Sequence, residues 1–263
     1  MCYLSDHHSG FRVFRLKTVD STQLYARKLI SLMGVTDEFA VSANIQTNGI
    51  GSMNRSWVGG IGNLFMTVAF HLDVDVDDSI PQFSYIGATA IGEALVQECN
   101  LQHTRLSYKW VNDVLLNHKK CSGVLCEIHQ NKFLLIGIGV NIKNFPKLDE
   151  LRNKEYAPYE ATSIENEGLQ VSKRVLEKEI LCKLRQKYEQ WRRFGFESIR
   201  KLWMQRAEYL GEHILWSNGL GITKIGKFLG INMDGEMLLL IEDTQEKKHV
   251  TLKLRTGSIR TLL

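Results

Sequence analysis

Residues 108–113 read Tyr-Lys-Trp-Val-Asn-Asp, a lysine set in a short apolar, strand-like stretch and followed by an amide and a carboxylate. A cation fixed beside an aromatic ring on rigid backbone can hold a carboxylate and a phosphate together while one attacks the other, because both are anions. The plain alternative for Lys109 is a strand-edge side chain that reaches water. A second candidate is the segment from Gln46 to Trp57, which follows an apolar run and carries Gly49, Gly51 and Arg55 before an indole. Such a loop can turn backbone N–H groups toward an anion while the indole covers a planar ring, although glycine loops also serve as simple turns. Residues 121–127 and 136–141 add Gly123, Gly137 and Gly139 inside apolar runs and end on Asn141. Glycine weakens a strand, and it is tolerated where a ligand or another backbone comes close, or at a bulge. Asn141 is either a ligand donor or a turn residue.

These groups need a scaffold, and the hydrophobic periodicity outlines one. Residues 11–16 alternate apolar and basic side chains as an edge strand does, and Asp20, Ser21 and Thr22 supply capping groups for a helix to about Leu32. Short β-branched or apolar runs at 39–46, 64–72, 105–110, 114–117, 123–128 and 133–140 predict one sheet with several hairpins. Between them, Phe83, Ile86, Ala90, Ile91, Ala94 and Leu95 recur at three- and four-residue intervals behind Pro81, marking an amphipathic helix to about Cys99. A longer helix follows Ser172, with an apolar stripe from Val175 to Trp191 that reads as core; Gly195 stops it before a short helix to Trp203. Beyond Glu208 the pattern changes to short strands and glycine turns, with Asp234-Gly235 as a hairpin signal. The expected architecture is α+β: a mixed-sheet domain over residues 1–207, packed with helices, and a small barrel-like module over 208–263.

Composition narrows the function classes. A chain of 263 residues can bury a sizeable core. A net charge of +4 with interspersed signs is a weak field for a dedicated nucleic-acid binder, so nucleic acid is not expected as a partner. The five cysteines form no C-x-x-C pair, which points away from a disulfide framework and toward a reducing cytoplasm. No stretch reads as a signal peptide or a membrane span. His7 and His8 have no neighbouring carboxylate or cysteine to complete a ligand set and read as solvated imidazoles on a mobile terminus, so no metal site is expected.

Taken in order, Ser21-Thr22-Gln23, the loop from Gln46 to Trp57, Lys109-Trp110-Val111-Asn112-Asp113, the run from Lys120 to Glu127, the run from Gly137 to Asn141 and the run from Ala161 to Ile164 resemble the motif series of biotin protein ligases. The segments around Gly230–Gly235 and Gly257–Ile259 look like that family's SH3-like barrel, so the likeness spans nearly the whole chain from Phe11. The resemblance implies a two-step reaction. Biotin and Mg-ATP form biotinyl-5′-adenylate and pyrophosphate, and a lysine of a biotin carboxyl carrier protein then attacks the mixed anhydride. It also implies roles. Ser21, Thr22 and Gln23 would contact the biotin ureido ring, and Gln46 with Ile50, Gly51 and Ser52 would bind the carboxylate end. Lys109 would bridge biotin and the α-phosphate as the catalytic cation, Gly123 would let biotin approach the sheet, and Arg55, Trp57 and Asn141 would hold the nucleotide.

The sequence departs from the family pattern in two places. Where the usual loop carries two arginines, this chain has Ile50 and Ser52. Charge-assisted hydrogen bonds contribute about 1.5–3 kcal/mol each, so slower activation or leakier retention of the adenylate is the expectation. Val111 stands where proline is common, a change of backbone stiffness and not of charge. No helix-turn-helix pattern precedes Phe11, which suggests a monofunctional ligase. Two rivals remain: a lipoate or octanoate ligase or transferase of the same architecture, and a non-catalytic protein that binds biotin or the carrier. The oligomeric state is open, a homodimer among the options.

Overall fold

The structure is a computed structural model that describes residues 2–53, 55–72, 80–101, 105–147, 160–243 and 248–262. Eight strands form one mixed sheet: β1 (Cys2–His8), β2 (Phe11–Val19), β3 (Phe39–Gln46), β4 (Leu64–His71), β5 (Leu106–Lys109), β6 (Asp113–Leu116), β7 (Lys119–His129) and β8 (Phe133–Val140). Their spatial order is β1-β2-β3-β4-β8-β7-β6-β5, antiparallel except for the parallel β2/β3 pair that α1 (Thr22–Ser31) connects. Two expectations need correction. The run from Phe11 is not an edge strand, because β1 pairs outside it. His7 and His8 are not on a mobile terminus: they belong to β1, and the His8 ring lies 3.0 Å from the carbonyl of Lys178. The alternating basic residues sit on an interior strand, where Arg12 stacks over Phe14 and Arg15 pairs with buried Glu177.

Side-chain alternation divides the sheet into two faces. On β4, Leu64, Met66, Val68 and Phe70 enter the main core, which is shared with α2 (Ile80–Glu98) and α3 (Lys173–Phe194). Ala69 faces the other way, into a smaller core built by Leu29 and Ile30 of α1 with Phe14, Phe39 and Phe133. Helix α3 ends at Gly195, whose φ of 74° is a left-handed value that favours glycine, and α4 (Glu197–Met204) follows.

The C-terminal segment forms a five-stranded antiparallel sheet in the order β12-β11-β10-β9-β13, comprising β9 (His213–Ser217), β10 (Thr223–Ile231), β11 (Met237–Asp243), β12 (Lys248–Leu254) and β13 (Ser258–Thr261). Ile214, Trp216, Phe228, Leu239 and Ile259 bury one face in the main core. The Tyr85 hydroxyl of α2 donates to the Gly235 carbonyl at 2.7 Å, and Arg200 of α4 donates to the Ile231 carbonyl at 2.7 Å. Among the described residues, no helix is long and apolar enough to cross a membrane.

Candidate functional site

Strand register alone lines up the candidate chemistry. Residues directly opposite in antiparallel strands share a face. Phe65 pairs with Gly139, Gly139 with Gly123, Gly123 with Asp113, and Asp113 with Lys109. One transverse row across five strands therefore carries two glycines, a carboxylate and a lysine on a single face. The neighbouring row holds Thr67, Gly137 and Leu125 on the same face. Helix α1 covers this face only in part, and the remainder lines a cavity of about 1180 Å³ closed by residues 50–53 and 55–58 and by Leu215, Ser217, Thr223, Ser258 and Arg260 of the C-terminal sheet. All twelve site residues expected from sequence line this cavity: Ser21, Thr22, Gln23, Gln46, Ile50, Gly51, Ser52, Arg55, Trp57, Lys109, Gly123 and Asn141.

At one end the lining is polar and uncharged. Ser21 is the N-cap of α1, its hydroxyl accepting from Gln23 N at 3.2 Å. Gln46 Oε1 accepts from the backbone N–H of Thr22 at 2.8 Å and from its hydroxyl at 3.1 Å. Thr67 Oγ1 lies 2.9 Å from Thr22 Oγ1 and 3.1 Å from Gln23 Oε1. Gln23 Nε2 is buried with no partner among the described residues, and a side chain at Gly137 would meet Gln23 Oε1 at 2.6 Å. A buried donor without an acceptor is a cost that a ligand can relieve.

Cations gather at the other end. Lys109 is 7% exposed and its Nζ lies 3.1 Å from Asp113 Oδ2, while Lys120 Nζ lies 2.5 Å from Asp113 Oδ1. Burial alone would raise the Asp113 pKa, but Lys120 and Lys109 outweigh it and hold it at about 2. Burial lowers the Lys109 pKa; Asp113 opposes this, and Lys120 and Arg55 reinforce it. Among the described residues the lining carries four cations, Arg55, Lys109, Lys120 and Arg260, against one carboxylate, Asp113. That excess suits ligands bearing more than one negative charge.

The described residues on the two sides of the glycine loop pair with each other. Ile50 bridges Ser56, Gly51 N donates to Arg55 O at 2.7 Å, and Trp57 N donates to Gly49 O at 2.9 Å. Arg55 folds back onto Ser52, donating to its carbonyl at 3.1 Å and its hydroxyl at 3.0 Å. Trp57 lays its indole on the glycine row: a side chain at Gly123 would meet the ring at 2.9 Å, and one at Gly139 would collide with it. Lys120 Nζ sits 5.5 Å from the Trp57 ring centroid. The β5–β6 turn contains a cis peptide between Trp110 and Val111.

Sequence reasoning gave no role to Lys120, Asp113, Thr67 or Arg260. Lys120 opens one of the motifs, but only the strand pairing that sets Gly123 opposite Asp113 brings its Nζ to the same carboxylate. Thr67 is the one hydroxyl among the buried residues of β4. Arg260 has no such signal, because only the packing of the C-terminal sheet brings it to the cavity. Among the described residues, no group of three or more His, Cys, Asp or Glu could hold a metal ion.

With this geometry in place, similarities to known proteins can be interpreted. The model of the biotin/lipoate A/B protein ligase family matches residues 16–142. Over 232 residues the chain is 31% identical to the biotin–[acetyl-CoA-carboxylase] ligase of Paracoccus denitrificans, covering 85% of this chain and 92% of that protein. It is 30% identical over 238 residues to the bifunctional ligase/repressor BirA of Bacillus spizizenii, covering 87% of this chain and 68% of that one. The structure of the biotin protein ligase from Aquifex aeolicus in complex with biotin and ATP matches with a TM-score of 0.75 at 24% identity, over 94% of this chain and 97% of that one. The ordered motifs, the shared fold and the sequence identity over most of both chains lead to one conclusion: this chain belongs to the biotin protein ligase family.

Proposed function

We propose that the chain activates biotin with ATP to biotinyl-5′-adenylate and transfers the biotinyl group to a lysine of a biotin carboxyl carrier protein. The observation that carries this reading is the row of Lys109, Asp113 and the two glycines, with Lys120 beside it, on the floor of a cavity that is neutral and polar at one end and cationic at the other. In the first step a biotin carboxylate oxygen attacks the α-phosphorus; that O–P bond forms, the bond to the bridging oxygen breaks, and pyrophosphate leaves. Lys109 and Lys120 reduce the repulsion between the two anions and stabilise charge developing on the α-phosphate. Asp113 keeps both ammonium groups in place. In the second step the carrier lysine attacks the acyl carbon, AMP departs, and the amine loses its proton.

Ser21, Thr22, Gln23 and Gln46 are assigned to the ureido and tail contacts, joined by Thr67; the backbone of residues 50–52 covers the carboxylate end. Trp57, Asn141 and Arg55 are assigned to the nucleotide. Mg2+ bound to phosphates would neutralise charge there, and the described lining suits it as an ion carried in by the nucleotide, since among the described residues Asp113 is the one lining carboxylate and already holds two lysines. The division at residues 207/208 belongs to the same reading. It is supported by residues 206–208 running along β5, where Tyr108 N donates to Arg206 O and Glu208 N donates to Tyr108 O, both at 2.8 Å, before the second sheet begins.

The test is exchange of labelled pyrophosphate into ATP, followed by mass spectrometry of an added carrier domain. Exchange that requires biotin, is not supported by lipoate, and is lost in Lys109→Ala with the fold intact is the expected result. Full turnover by Lys109→Ala would show that the cation is misassigned. Exchange with lipoate alone would move the chain to the other branch of the family.

A further inference from the structure

Resting on this assignment of the nucleotide end, we propose that Asn63 is a positioning residue for adenine recognition, acting through Asn141. Asn63 is fully buried at the point where the segment from Trp57 enters β4. Its Oδ1 accepts three backbone N–H groups in succession, from Ile142 at 3.1 Å and from Lys143 and Asn144 at 3.0 Å each. Its Nδ2 donates to the Asn144 carbonyl at 2.7 Å and to Asn141 Oδ1 at 3.4 Å. The clamp is mutual, because Asn144 Nδ2 donates back to the Ile61 carbonyl at 2.7 Å, and a side chain at Gly60 would press on Asn144 at 3.0 Å.

The consequence falls on Asn141, which is 2% exposed and lines the cavity. Its Oδ1 receives Asn63 Nδ2 from one side, and its Nδ2 donates to the Thr162 carbonyl at 3.1 Å on the other. A carboxamide has two lone pairs on oxygen and two N–H groups, so among the described residues each end of Asn141 keeps one unused hydrogen-bonding position. Flipping the amide would set N–H against N–H at Asn63 and oxygen against oxygen at Thr162. Asn63 therefore fixes which end of Asn141 donates. An oriented carboxamide matches the N6–H donor and N7 acceptor of adenine, where guanine presents two acceptors, O6 and N7, and leaves the carboxamide oxygen without a donor. Asn63 also joins the two nucleotide elements, the segment carrying Trp57 and the segment leaving β8, so an effect on the nucleotide is separable from the Ser21–Thr22–Gln23 end of the cavity.

The experiment uses the full chain with Asn63→Asp and Asn63→Ala, alone and combined with Asn141→Ala. Biotin Kd is measured by calorimetry, KM for ATP and the preference for ATP over GTP by pyrophosphate exchange, and folding by circular dichroism. The expected result is an ATP KM raised about tenfold, a weakened preference for ATP, and a biotin Kd within about twofold of the unmodified protein, the scale of one oriented hydrogen bond. In the Asn141→Ala background, changing Asn63 adds nothing further to KM, as for two residues acting as one unit. An unchanged ATP KM in a folded variant, a parallel loss of biotin and ATP binding, full additivity with Asn141→Ala, or unfolding of both variants would each overturn the proposal. If the unmodified chain shows no biotin-dependent exchange, the assigned reaction fails instead, a result distinct from any of these.

Discussion

At the scale of single residues, Asp113 governs the behaviour of the cationic end. It lies between two lysines that would otherwise repel each other at close range in a buried setting. Removing one partner from a buried ion cluster leaves uncompensated charge, so Asp113→Asn is expected to cost about 3 kcal/mol in urea unfolding at neutral pH. The sign of its pH dependence follows from the depressed pKa. Asp113 contributes stability that is fully present above its ordinary value of 3.8 and is lost as pH falls toward about 2. The gap between the unmodified protein and Asp113→Asn should therefore shrink across that interval; a gap independent of pH would mean that the carboxylate charge is not what holds the lysines. The residue scale is also where the sequence was most legible. Lys109 stood out as a cation in a strand, whereas Lys120 gained its role only once its Nζ was found on the same carboxylate.

At the scale of elements, the glycines of β7 and β8 separate the two ends of the cavity. Gly137 faces Gln23 and Gly139 faces the Trp57 ring, two residues apart on one strand and so on the same face. Added bulk in a packed site costs roughly 1–3 kcal/mol, which predicts distinct losses. Gly137→Ala should weaken biotin binding about tenfold with ATP KM nearly unchanged, while Gly139→Ala should displace the indole, raise ATP KM about tenfold and shift tryptophan emission. Calorimetry with biotin and exchange kinetics with ATP would check both. Equal effects on both ligands would show that the strand is disturbed as a whole. The strands themselves could be read from their apolar runs, but their spatial order could not. Residues 11–16 mimic an edge strand because Arg12 stays exposed over the Phe14 ring and Arg15 pairs with a buried carboxylate.

At the scale of the whole molecule, the C-terminal sheet lines the mouth of the cavity and contributes Arg260 to it. Its hold on the larger sheet runs through α2 and α4, where the Tyr85 hydroxyl reaches the Gly235 carbonyl, Gln82 Nε2 reaches the Met233 carbonyl at 3.0 Å and Tyr85 packs against Trp203. Burial pushes the Tyr85 phenol pKa upward, so it stays a donor across the working pH range. Tyr85→Phe leaves a buried carbonyl without its partner and should cost about 1–2 kcal/mol by urea unfolding. A loss of cooperativity in the same experiment would show that the C-terminal sheet unfolds separately; a single shifted transition is expected, because both sheets share one core.

The sequence by itself determined the local elements, the helix cap at Ser21, the glycine strands and the ordered motifs that carry the family likeness, because each depends on neighbours a few residues away. Tertiary structure decided what depends on register and packing between distant segments. It placed Lys109, Asp113, Gly123 and Gly139 in one row, set Trp57 on the glycines, brought Arg260 to the cavity and tied Asn63 to Asn141. The physical reason is that side-chain periodicity assigns a residue to a face, while only strand pairing and helix packing decide which faces meet.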